Sequence, residues 1–147
     1  MISAKEARKR FERGFSCAPA VLSAYCEQLG LQEALALKIA CGFGGGIGRT
    51  GRTCGAVTGA MMAIGLKYGQ ADLADEEARQ KTHELAAEFI KRFTALHGSI
   101  ECRELIGYDL SDPEQLELAR ASQDRHNTCE RLVYGSAQIL EDVLHLQ

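Results

Sequence analysis

Between Cys41 and Gly69 the chain reads CGFGGGIGRTGRTCGAVTGAMMAIGLKYG, and eight of its fifteen glycines fall between Gly42 and Gly59. Glycine loses more backbone freedom on folding than any other residue. Such density needs a reason: positive φ, backbone packed on backbone, or a ligand held close. The first half of the stretch carries Arg49 and Arg52. The second half, Thr53 to Leu66, is a run of 14 uncharged residues, too short to cross a bilayer. Gly55, Gly59 and Ala63 recur every four residues and make one smooth helix face, with Val57, Met61 and Ile64 on the bulkier side. A helix apolar all round is a buried one. The stretch therefore predicts a glycine-rich loop leading into a buried central helix at Thr53–Lys67, with Thr53 as N-cap and Cys54 at the first helical position.

The rest of the chain reads as helices around it. Ser3-Ala-Lys-Glu6 is a capping-box pattern for a short helix that stops at Gly14, with Ala4, Ala7 and Phe11 on one face. Ser16 caps a second helix from Cys17 to Leu29, with Val21, Leu22, Tyr25 and Leu29 as its stripe. Leu31 to Ala40 is a third. Asp75 opens a long helix to His97, closed by Gly98, with Leu85, Phe89, Phe93 and Leu96 facing inward. Ser99 caps a short turn that holds Cys102. Asp112-Pro113 starts another helix, since proline suits the first helical position. Asn127 or Thr128 caps the last helix at Cys129, whose inner face is Leu132, Val133, Ser136, Leu140, Val143 and Leu144. No segment alternates as a strand does. The fold class predicted is all-α, a compact helical bundle in one domain over residues 1–147.

Composition narrows the function classes. A net charge of -3 and a pI near 5.8 argue against a nucleic-acid surface. The charged N-terminal stretch has no apolar core of the signal-peptide kind, so the expectation is a cytoplasmic protein without membrane insertion. Six cysteines stand out in a reducing compartment, where thiols stay reduced unless catalytic, redox-sensing or metal-bound. The apolar central helix leaves room for a homodimer, and a redox partner of unknown identity is implied.

The cysteines share a setting. Cys17, Cys54 and Cys129 each follow a residue suited to cap a helix, and Cys102 falls in a first turn. Free N–H groups and the helix dipole favour negative charge there and lower a thiol's pKa. Arg49 and Arg52 add positive charge near Cys54. There is no CxxC, so any common site is assembled by the fold from distant segments. Four thiolates together suit an iron–sulfur cluster or tetrahedral zinc, whereas two suit a reversible disulfide.

Cys54-Gly55-Ala56-Val57-Thr58-Gly59 resembles the CGAxxG motif of a small redox-active family named for that motif and its spaced cysteines. Gly14-Phe15-Ser16-Cys17-Ala18, the loop Phe43 to Gly48, Cys102 and Cys129 extend the resemblance over nearly the whole chain. It implies that Cys17, Cys54, Cys102 and Cys129 are the four characteristic cysteines, with Cys26 and Cys41 as extras. A similar domain accompanies haem in split-Soret cytochromes, where an iron–sulfur centre is associated. Without a CxxCH, c-type haem is not implied here.

Other signals are weaker. Gly46 to Gly51 fits GxGxxG and Gly46 to Thr53 approaches a P-loop, but no strand or βαβ unit frames them. His126 and His97 lie near Cys129 and Cys102, as ligand or base candidates or as solvated residues. His83 and His145 read as surface residues, Met61 and Met62 as core filler. The resulting expectation is a redox protein, as oxidoreductase or electron carrier. Cys17, Cys54, Cys102 and Cys129 hold an iron–sulfur cluster, [2Fe–2S] in form, or zinc. The alternative is a cofactor-free thiol–disulfide protein with Cys54 attacking.

Overall fold

The computed structural model describes residues 2–145. Among them the chain forms eight helices and no strand: α1 (Ile2–Glu12), α2 (Cys17–Cys26), α3 (Glu33–Cys41), α4 (Gly55–Tyr68), α5 (Glu76–His97), α6 (Cys102–Ile106), α7 (Pro113–Ala121) and α8 (Gln123–Leu144). An isolated antiparallel bridge joins Thr53 to Glu101. The bundle is the all-α architecture that the periodicity predicts.

Helix α4 is central, packed against α2, α5 and α8, while α1 lies across α8 and α2. Its smooth face is used in full. A side chain on Gly55 would meet the Ala18 amide nitrogen at 2.8 Å, and one on Gly59 the Ala18 carbonyl oxygen at 2.8 Å. Helices α2 and α4 therefore touch backbone to backbone. Opposite, the buried Ser136 hydroxyl of α8 donates to the Ala56 carbonyl at 2.7 Å, and Tyr25 of α2 donates to Ala137 of α8 at 2.8 Å. Buried polar groups that are paired this way fix the register of three helices without a desolvation penalty. Most of α4 is thus covered within the chain, with Leu66 left exposed at its end. No helix of the described residues is long and apolar enough to cross a membrane.

Most stripes fall where the spacing puts them. Ala4, Ala7 and Phe11 are buried, as are the six inner positions of α8. Asp75 caps α5 by accepting from the Ala78 amide, Gly98 closes it with φ 93°, and Asp112 caps α7. Four details differ. Helix α1 starts at Ile2, before Ser3, so Ser3 lies inside it, buried. Cys54, not Thr53, is the N-cap of α4, because Thr53 is drawn into the bridge with Glu101. Ser99 does not cap α6: its hydroxyl accepts from the Glu101 amide, and Glu101 holds the N-cap position. Leu96 is 61 % exposed. His97 takes the inward place, its ring tilted with its centre 4.5 Å from that of Phe93 and set against bare Gly135. The buried stripe of α5 runs in steps of four from Phe89, which turns Leu96 outward.

The two kinds of glycine in α4 give a paired test. Gly59→Ala forces a methyl onto backbone and is expected to destabilise by about 1–3 kcal/mol. Gly65 has nothing within 4 Å of its Cβ position, so Gly65→Ala is expected to stabilise by roughly 0.5–1 kcal/mol. Denaturant melts of the two variants check this; shifts in the same direction would refute the backbone contact.

Candidate functional site

The loop after α3 is built on an unusual backbone. Five successive residues, Gly45 to Arg49, have φ between 61° and 68°, the left-handed region that costs an L-residue about 1–2 kcal/mol. Three of the five are glycines. At Gly46 the glycine is needed twice over, because a Cβ there would lie 2.6 Å from the Cys102 Cβ and 2.7 Å from the Arg52 nitrogen. The loop exit then pairs with the entry to α6. The Cys54 amide donates to the Ile100 carbonyl at 2.7 Å, Cys102 to Arg52 at 2.6 Å and Arg103 to Gly51 at 3.1 Å. This short ladder brings Cys54 and Cys102 together, 48 positions apart in the sequence.

These segments wall a pocket of about 740 Å³. Cys17, Cys41, Cys54, Cys102 and Cys129 all line it. Cys17 enters from the first turn of α2, Cys54 from the cap of α4, Cys102 from the start of α6 and Cys129 from the second turn of α8. Cys129 is not at a helix start. Helix α8 begins six residues earlier, at Gln123, because Ser122 accepts from the Arg125 amide and captures the N-cap. All six cysteines are free.

Hydrogen bonding with Cys129 and Cys54, then burial, raises the Cys17 pKa well above the ordinary thiol value. Cys129 moves the other way, to about 6: the Cys17 hydrogen bond is the largest cause, and Arg125 adds a hydrogen bond and its charge against the penalty of burial. The Arg125 Nη1 lies 3.7 Å from the Cys129 Sγ, with Nε held by the Ala119 carbonyl at 3.1 Å. Cys54 is also lowered, first by Cys17 and, against burial, by the amides of Ala56 and Val57, although no capping hydrogen bond forms there. Cys102 is pushed up to about 12 by burial, with the Cys54 and Cys129 charges adding to it. The site thus contains two sulfurs that favour thiolate and two that keep their protons.

Placement overturns the metal readings. Among the described residues no group of three or more His, Cys, Asp or Glu is placed to hold a metal ion. Neither the [2Fe–2S] cluster expected on Cys17, Cys54, Cys102 and Cys129 nor the zinc alternative fits, and a metal-based electron carrier falls with them. No disulfide joins any pair, so the thiol–disulfide alternative with Cys54 attacking finds no support in the fold.

Cys26 is core: it is buried and donates to the Ser23 carbonyl. Cys41 is exposed at the pocket rim. His126 lines the pocket, its ring 5.0 Å from Phe11, while His97 belongs to a different surface. Arg52 points away, toward Arg103 and Ser111. Arg125 is the residue that sequence reasoning missed. Its signal was the i,i+4 spacing to Cys129, hidden by starting α8 too late.

A family model described as "Putative redox-active protein (C_GCAxxG_C_C)" matches residues 15–143. No curated protein matches the chain, and no solved structure does. That motif has Gly-Cys before Ala-x-x-Gly, whereas this chain has Cys54-Gly55 before Ala56-Val57-Thr58-Gly59. Packing accounts for the order seen here: a side chain at position 55 would strike the Ala18 backbone and the Cys17 Cβ, at 2.8 and 2.9 Å.

Alkylation rates against pH test the proton distribution. The Cys129 thiolate is present above about pH 6, whereas an ordinary thiol titrates near ~8.5. Its depressed pKa contributes stability that is full above the unfolded value and is lost as pH falls through the folded one. The expected profile at Cys129 has its midpoint near the lower value and rises by one unit or more in Cys17→Ala. A midpoint at the ordinary thiol value in the unmodified protein would contradict the geometry.

Proposed function

Since the chain belongs to this redox-active family, we propose that the pocket carries out two-electron thiolate chemistry, with Cys129 as the reacting sulfur and an organic hydroperoxide as the oxidant. The observation that carries this reading is the Cys129 sulfur set between a thiol donor, Cys17, and a guanidinium, Arg125, in an open pocket. Thiolate character with access is what makes a cysteine oxidisable.

The Cys129 thiolate attacks the outer peroxide oxygen. An S–O bond forms as the O–O bond breaks; the sulfur gives up two electrons and the peroxide gains them. The leaving alkoxide takes the Cys17 proton. The products are Cys129 sulfenic acid, an alcohol and the Cys17 thiolate. Arg125 steadies the negative charge as it passes from sulfur to oxygen, a role suited to a fixed cation in a partly desolvated site. Cys54 shares the Cys17 hydrogen bond and keeps that thiol oriented. A low-molecular-weight thiol from solution restores Cys129 in two steps, first displacing water to give a mixed disulfide with itself and then releasing its own disulfide. A kinship with the split-Soret cytochrome domain belongs to the same reading, as shared redox work.

Reduced protein treated with one equivalent of cumene hydroperoxide in the presence of dimedone tests this. The expected result is peroxide consumption with the dimedone adduct on Cys129 by peptide mass analysis, and consumption at the background rate in Cys129→Ser. Cys17→Ala is expected to react roughly tenfold more slowly at neutral pH, from its smaller thiolate fraction. Undiminished consumption by Cys129→Ser would sink the proposal.

A further inference from the structure

The pocket is far larger than a peroxide group needs, and its lining is mixed. Phe11, Phe15, Ile106, Leu110 and Leu116 give the lining its apolar part, while the glycine loop and Arg49 give it a polar one. A lining of this size and mixture fits an organic body with one polar end.

The polar part has unspent capacity. The amides from Ile47 to Arg52 all donate within the chain, but those of Gly45 and Gly46 find no acceptor among the described residues. Both residues line the pocket, at φ 66° and 68°, and Gly46 is buried. Successive amides in such a conformation form a concavity that binds anions, and a buried N–H left unpaired costs about 1–3 kcal/mol.

Arg49 stands beside them. Its Cγ lies 2.8 Å from where a Gly45 side chain would begin, so its stem runs along that glycine. Its own φ is 65°, a conformation that glycine would adopt freely. Among the described residues Arg49 enters no ion pair. The other arginines of the lining are engaged, Arg125 at Cys129 and Arg120 with Glu117. Glu12, exposed, is the acid in the same lining.

We infer that the pocket selects hydroperoxides bearing a carboxylate, which Arg49 and the amides of Gly45 and Gly46 bind while the apolar part holds the carbon chain. This rests on the peroxide reading above, so the test separates the two. In the Cys129→Ser variant, binding of a medium-chain hydroxy-carboxylic acid is compared with that of its methyl ester by calorimetry. The acid is expected to bind at least about tenfold more tightly, the size of a charge-assisted contact. Arg49→Gln and Arg49→Gly are expected to erase that preference. The glycine variant is expected to melt no lower than the parent, which shows that the loss is not one of folding. Equal binding of acid and ester, or a preference that survives both substitutions, overturns the inference even if Cys129 consumes peroxide. A preference found in a protein that consumes none upholds the carboxylate site and sinks the peroxide reading alone.

Discussion

Helices α2 and α4 meet along bare backbone, and the site depends on that contact. With no side chain at Gly55 or Gly59, α4 comes so near that its next atoms are the nitrogen and carbonyl oxygen of Ala18. Cys17 immediately precedes Ala18, and Cys54 immediately precedes Gly55. The same approach that buries the central helix thus brings one sulfur from each helix into contact. Ser136 and Tyr25 then tie α8 to this pair, which sets Cys129 against the other face of Cys17. Core packing and site assembly are here one event.

Contact between sulfurs, more than helix position, decides which of them is ionised. Cys17 occupies a first helical turn, where the dipole favours a thiolate by roughly 0.3–1 kcal/mol, yet its pKa is raised. Hydrogen bonds to two neighbouring sulfurs outweigh the dipole and keep the proton on Cys17. Cys129 lies past the first turn of α8 and is nonetheless the one brought to about 6, since it alone combines the Cys17 bond with Arg125. A lowered Cys129 beside a protonated Cys17 suits nucleophilic sulfur.

Much of this was legible in the chain. The four-residue repeat of Gly55 and Gly59 announced a close helix contact, and Asp75, Gly98 and Asp112-Pro113 marked ends that the structure keeps. Family-level resemblance and capping both drew attention to four cysteines that line one pocket. What failed to show was set by tertiary partners. Thr53 loses its cap role to a bridge with Glu101, and Ser122 wins the start of α8 from Thr128, which conceals the Arg125–Cys129 spacing. Leu96 and His97 exchange places because Gly135 leaves room for a ring. The left-handed run at Gly45–Arg49 includes Ile47 and Arg49, residues that no local preference would put there. The proton on Cys17 is legible only once three segments have met.

Hydrogen bonding from Cys17, together with Arg125, leaves Cys129 ionised. Cysteine 13Cβ chemical shifts, followed by NMR through a pH titration of the reduced protein, read each thiol separately. The account predicts that Cys129 already has its thiolate shift at neutral pH and moves through a midpoint near 6, while Cys17 and Cys102 keep thiol shifts into the alkaline range. A neutral Cys129, or a Cys17 that ionises first, would contradict it.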